Sequence, residues 1–172
     1  MMSKRKREYL DDYVISEDGG YEYQGTLWQW NSPEERTAFL REAWVALAGA
    51  AACAIAAGFI PVSAMGNAVY VLLPYLVVVG ILLFAAIRVA NLASEKKGLR
   101  DHVYQKVMVP LPGWLMVGCV AAFASAVGEL LYLILEARFN PLALVYIALL
   151  LGAAALLAYL RRRTNGLRFT VS

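Results

Sequence analysis

With 172 residues, 60% of them hydrophobic and only 17% charged, the chain is too apolar for an ordinary soluble domain; such a domain carries about a quarter charged residues to cover its surface. The net charge of +3 gives no pointer to nucleic acid, because the basic residues gather at the ends of apolar stretches, where they set topology and meet anionic lipid headgroups. The two cysteines, Cys53 and Cys119, form no CxxC and have no histidine at ligand spacing, so neither a dithiol redox pair nor a zinc site is suggested.

Four apolar stretches dominate: Trp44–Ile60, Val69–Ile87, Trp114–Leu135 and Pro141–Leu160. Each runs for about 17–22 residues, enough at 1.5 Å per residue to cross a hydrocarbon core of about 30 Å. Fifteen of the sixteen Lys and Arg residues lie before the first stretch, between the second and third, or after the fourth; the other is Arg138. The positive-inside bias then predicts a multi-pass plasma-membrane protein with both termini and the loop 88–113 in the cytoplasm. Residues 1–32 form a cytoplasmic tail, 33–160 a four-helix transmembrane domain and 161–172 a cytoplasmic C-terminal tail. No cleavable signal peptide is legible, since Lys4-Arg5-Lys6-Arg7 leads into Glu8, Asp11 and Asp12 rather than an apolar core.

In chain order, Tyr13-Val14-Ile15 and Tyr21-Glu22-Tyr23 are β-prone runs around the turn-rich Ser16–Gly20, a hairpin pattern. Gly25–Trp30 either extends the second strand or leads it to the membrane. A helix begins after Ser32, with Pro33 at its first position and Glu35 completing an S-x-x-E capping box. It runs without a break into the first span. There, Gly49, Cys53 and Ala57 recur every four residues, as do Ala46, Ala50, Ala54 and Gly58, and Ala148 and Gly152 repeat the spacing in the fourth span. Small residues so spaced permit close backbone approach, either within the bundle or between two copies of the chain. Pro61 ends the first span, and the short uncharged loop Val62–Ala68 precedes the second. Pro74 should bend or widen that span, which continues towards Ser94, with Gly98 suited to a C-terminal cap.

Leu99, Val103 and Val107 share a face with Arg100, Asp101, Gln105 and Lys106 elsewhere on the wheel. The pattern predicts a short amphipathic helix at headgroup level, with Tyr104 and Trp114 as interfacial anchors; a β-like run over Val103–Val109 is the alternative. Pro110 and Pro112 start the third span. Asn140-Pro141 reads as a cap and first helical residue, and Asn67 sits at the other outer span start. Thr164-Asn165-Gly166 predicts a turn, and the alternation of Leu167–Val171 a third strand beside the N-terminal hairpin, giving a small cytoplasmic sheet that joins both termini.

Glu129 is the one charged residue well inside a span. A carboxylate at membrane depth is costly, roughly 2.5–3.5 kcal/mol on insertion scales for Asp at a helix centre, so it faces protein or water. Gly118, Ala122, Ser125, Glu129, Tyr132 and Glu136 fall on one helical face. Glu129 with Ser125 and Tyr132 is thus the candidate proton, cation or ligand site, about two turns from the outer boundary and within reach of Tyr70, Tyr75 or Tyr146 if packing permits. The other reading is a structural carboxyl. His102, the single histidine, reads as a surface residue. No catalytic residues, metal site or cofactor motif are legible: there is no phosphate loop, no Ser/His/Asp set and no HExxH.

The strings Gly20–Gly25, Asn67–Tyr75 and Leu99–Tyr104 resemble uncharacterised four-span integral membrane proteins of Gram-positive bacteria. The resemblance implies a bacterial plasma membrane and no activity. The expectation is therefore an all-α membrane protein: a four-transmembrane-helix bundle with a small cytoplasmic cap of β strands and an amphipathic helix. Its partners would be membrane lipids and a protein at the cytoplasmic face, or a second copy of itself. Its function would be that of a non-enzymatic accessory or scaffold protein; the alternative is a small oligomeric transporter or channel using Glu129.

Overall fold

The computed structural model describes residues 13–15, 21–23, 27–95, 98–136 and 140–171. The basic run Lys4-Arg5-Lys6-Arg7, the turn Ser16–Gly20 and Arg138 lie outside the described residues. The element order is β1 (Tyr13–Ile15), β2 (Tyr21–Tyr23), β3 (Leu27–Trp30), α1 (Pro33–Phe59), α2 (Ser63–Asn67), α3 (Val69–Ser94), β4 (Leu99–Arg100), α4 (Asp101–Val103), α5 (Leu111–Glu136), α6 (Pro141–Asn165) and β5 (Phe169–Val171). A single wide turn over Tyr104–Met108 joins α4 to α5. In it the Val109 N–H reaches back five residues to the Tyr104 carbonyl at 3.3 Å, a π-type insertion in an otherwise continuous helix.

Local chemistry sets the ends of the long helices. Ser32 is extended (φ −149°, ψ 152°) and its hydroxyl accepts from the Glu35 N–H at 3.1 Å, so α1 starts at Pro33. Asn140 does the same for α6, accepting from Leu142 N–H at 3.0 Å. Asn67 has no such role: it ends the unforeseen short helix α2, and α3 starts after Ala68 without a side-chain cap. The predicted turn at Thr164-Asn165-Gly166 is the last turn of α6 closed by Gly166, whose N–H bonds to Arg162 O and Arg163 O. Gly98 caps no helix. The helix α3 ends at Ser94, and Gly98, at φ +140°, turns the chain into β4, a conformation open chiefly to glycine.

Four of the described helical segments are long and apolar enough to cross a membrane: Pro33–Phe59, Val69–Ser94, Asp101–Glu136 and Pro141–Asn165. At 27 residues α1 is about 40 Å long. The helices α1, α3, α5 and α6 form a ring in which each packs on its neighbours in sequence and α6 closes against α1. Cross-links such as Tyr75 to Ala54 and Arg36 to Ala93 show α1 and α3 to be antiparallel. The inward residues of α1 are mostly alanines, including Ala43, Ala46, Ala50, Ala54 and Ala57. Outward faces carry Phe59, Leu73, Leu76, Leu83, Phe123, Ile134 and Leu135, all exposed. Small residues inside and large apolar ones outside suit a hydrocarbon surrounding, since soluble monomers rarely expose apolar patches beyond a few hundred Å².

The strands gather in two small sheets. β1 and β2 form an antiparallel pair with Tyr13 opposite Tyr23 and Ile15 opposite Tyr21. The other sheet has the order β4-β3-β5, with Trp28 opposite both Leu99 and Val171 and Trp30 opposite Phe169. Thus a small sheet does join the N- and C-terminal segments, but β5 pairs with β3 rather than with the hairpin β1–β2. The predicted amphipathic helix also differs. Leu99 is a strand residue, and Leu99, Val107 and Met108 are buried in the bundle core rather than turned to lipid. The segment is a plug between the helix ends.

Candidate functional site

Glu129 lies on α5 where the predicted stripe is most enclosed. Gly118, Ala122, Ser125 and Glu129 are buried, Tyr132 is half-buried and Glu136 is exposed. Glu129 is only 1% exposed, and its Oε2 has no hydrogen-bond partner among the described residues.

A proline shapes the turn of α3 that packs on Gly128 and Ser125, the neighbours of Glu129 on α5. Pro74 lies inside α3 and has no N–H, so the Tyr70 carbonyl four residues earlier loses its helical donor. Gly128 fits against this turn: a Cβ there would stand 3.3 Å from Tyr70 O and 3.1 Å from Val71 Cγ2. One turn earlier on α5, the Ser125 hydroxyl donates to Val71 O at 2.9 Å and lies 2.9 Å from the Tyr146 hydroxyl. With the serine proton committed to Val71, the tyrosine must be the donor. Ser125 therefore ties α3, α5 and α6 together, and both it and Tyr146 are fully buried.

The tyrosines do not serve the carboxyl. Tyr146 gives its proton to Ser125, Tyr75 donates to Ala54 O at 3.0 Å, and Tyr70 is half exposed. Glu129 is left beside a polar cluster that satisfies itself. Such a group has two chemical options: to hold a proton, or to bind a cation with neutral oxygens completing its shell. No group of three His, Cys, Asp or Glu residues stands at metal-binding distances among the described residues.

The small-residue stripes pack within the chain. A Cβ on Gly49 would lie 3.0 Å from Leu156 Cδ1, and one on Gly152 3.6 Å from Cys53 Sγ, while Ala57 is buried. Ala148 is the exception; it is exposed on the outer face of α6.

The opposite end of the bundle, which carries the three-stranded sheet, holds features that sequence reading did not assemble. Trp28 stacks on Tyr104 with centroids 4.2 Å apart and planes 10° from parallel, and its indole N–H donates to Asp101 Oδ1 at 2.9 Å. Tyr104 meets the edge of Phe169 at 5.3 Å, Phe169 meets Trp30 at 4.8 Å, and Trp30 meets Phe39 at 5.8 Å. Tyr104 is thus a cap residue, not a free lipid anchor. Trp114 is half exposed and packs on Phe84. The signal for the cluster was Trp28-Gln29-Trp30, whose alternation puts both indoles on one strand face.

Three arginines at this end are fastened to acceptors. Arg36 donates through Nη2 to Ala93 O at 2.8 Å, closing the end of α3. Arg88 donates to Lys106 O and lies over the Phe84 ring. Arg163 grips Glu42 with two bonds of 2.6 and 3.2 Å, and Tyr159 adds a third at 3.1 Å. No family model, curated protein or solved structure matches the chain.

Proposed function

We propose that the chain is a four-span plasma-membrane protein of a bacterium, with its sheet-bearing end in the cytoplasm, acting as a non-enzymatic accessory or scaffold protein. The observation that carries this reading is the cap itself. Crossing a bilayer requires only the four helices, yet segments as distant as Leu27–Trp30, Leu99–Arg100 and Phe169–Val171 are knitted into one sheet over the helix ends. A rigid platform at the basic end presents a defined surface for a partner, whereas the other end has only short connections. Affinity purification from native membranes tests it. A stoichiometric partner should accompany the wild-type chain and be lost from the Trp28→Ala variant, with the helical bundle retained. Recovery of both chains alone would remove the scaffold reading.

A second reading, a small oligomeric transporter or channel, draws support from the buried, partnerless Oε2 of Glu129. A cysteine at position 129, in a chain lacking Cys53 and Cys119, would react with a membrane-impermeant thiol reagent if an aqueous pathway reaches it. Complete protection would favour a sealed structural carboxyl.

A further inference from the structure

Glu129 is the one buried acidic side chain among the described residues, and it begins a graded series on α5. Further along the same face Tyr132 is half-buried and Glu136 exposed. Side chains three or four residues apart on a helix have Cβ atoms about 5–6 Å from each other. The series therefore leads in two steps from the core to the surface, at the end of the bundle away from the cap. We propose that Glu129 is a proton-binding site that loads and empties through Tyr132 and Glu136 from that end, an inference that rests on the second reading above.

The occupant follows from space and charge. Glu129 Oε2 is buried and has no hydrogen-bond partner among the described residues, so no metal ion or organic ligand has room against it. A proton is the one cation that needs no cavity, because it becomes part of the carboxyl as an O–H. Nothing described at this level neutralises a carboxylate instead. The titratable groups on the facing turns are Tyr70 and Tyr75 of α3 and Tyr146 of α6, and the last two donate to Ala54 O and Ser125 Oγ. The segment Ala43–Phe59 of α1 carries no charged side chain, and the described Lys and Arg residues all stand towards the cap. An unpaired carboxylate in such surroundings costs far more than the neutral acid.

Packing sets the direction of exchange. Towards the cap from Ser125, Ala122, Gly118, Leu115 and Leu111 are all buried, and a Cβ on Gly118 would stand 2.8 Å from Ile81 Cγ2. The next buried polar side chain described on that side is Thr164, in the last turn of α6, and its hydroxyl is bonded to Leu160 O at 2.8 Å. No hydroxyl or carboxyl bridges the gap between them. On the other side the Tyr132 hydroxyl can take a proton from hydronium at the Glu136 surface while passing its own to Glu129. The net change turns hydronium and a carboxylate into water and a carboxylic acid.

Infrared spectroscopy of the full chain in lipid nanodiscs near neutral pH tests this, since a protonated carboxyl has its own C=O stretch. The wild type should show that band, and it should move when the chain is made with heavy-carbon glutamate, a readout that needs no variant to fold. Glu129→Gln should lack it. In heavy water the band shifts as the proton exchanges. Tyr132→Phe and Glu136→Gln should each slow that shift, the former about tenfold, while Trp28→Phe at the cap should leave its rate unchanged. Absence of a glutamic-acid band from the wild type, or its persistence in Glu129→Gln, would overturn the site. An unchanged rate in either Tyr132→Phe or Glu136→Gln, or a faster one in Trp28→Phe, would overturn the route. Failure of the transport reading is separately visible, as vesicles containing the chain that show no Glu129-dependent proton flux to an entrapped pH dye.

Discussion

Replacing Glu129 by Leu should stabilise the bundle. The side chain is 1% exposed and its Oε2 makes no hydrogen bond among the described residues, so the substitution breaks no bond there. A buried polar group without a partner costs about 1–3 kcal/mol, and leucine fills a similar volume without that cost. The neighbouring bonds from Ser125 to Val71 and Tyr146 do not use the carboxyl and should survive. Reversible unfolding in mixed micelles, by titration with sodium dodecyl sulfate and circular dichroism, gives a denatured state in which the carboxyl regains water. There Glu129→Leu should raise the unfolding free energy by about 1–3 kcal/mol, a factor of about 5 to 150 in the equilibrium. Glu129→Gln should stay near the wild type, because the amide keeps the polar burden. A loss of more than about 1 kcal/mol in the leucine variant would refute the reasoning, since it would mean that the folded state supplies the carboxyl with a partner. A bundle stabilised by the change, yet inactive in any proton- or cation-coupled assay, would mark Glu129 as kept for function at the expense of stability.

Three further outcomes follow from the same packing. Tyr146→Phe removes the bond to Ser125 and should cost about 0.6 kcal/mol, the average for interhelical hydrogen bonds in membranes; Ser125→Ala should cost more, and the double variant no more than Ser125→Ala, whereas simple additivity in the unfolding titration would deny the coupling. Gly118→Ala places a Cβ 2.8 Å from Ile81 Cγ2 and 3.1 Å from Leu157 Cδ1, so it should destabilise by about 1–3 kcal/mol; Gly80→Ala, with nothing within 4 Å, serves as the control, and equal stabilities would contradict the close approach of α3 and α5. Trp28→Phe loses the bond to Asp101 but keeps an aromatic ring over Tyr104, so it should cost about 1 kcal/mol and speed limited proteolysis at Leu99–Asp101; an unchanged cleavage rate would show the bond to be dispensable.

The four long apolar helices and two of their caps were legible because the signals are local. Ser32 and Asn140 each bond to an N–H two or three residues away, and length with apolarity marks the helices. Partner choice was not local. The strand Leu27–Trp30 pairs with residues some seventy and some hundred and forty positions away, and a four-residue run carries no record of either. The plug Leu99–Met108 misled for a related reason: an apolar face at four-residue spacing looks the same whether lipid or protein covers it. At Glu129 the stripe placed the carboxyl on the inner face, but the commitment of Tyr75 to Ala54 and of Tyr146 to Ser125 depends on helix rotation. No sequence pattern encodes that rotation.

On the membrane reading, the two ends of the bundle are held by different forces. Within lipid there is little hydrophobic drive between helices, so their association rests on close packing and hydrogen bonds. Ala54, Gly118 and Gly128 provide the packing, and the Val71–Ser125–Tyr146 bonds the rest. At the cap water is present, and bringing Trp28, Trp30, Phe39, Tyr104 and Phe169 together gains the full hydrophobic return. The cap therefore clamps the helix ends that the lipid-embedded part holds less firmly. The half distal to that clamp contains Glu129, and separation of helices there would expose the carboxyl before the cap gives way.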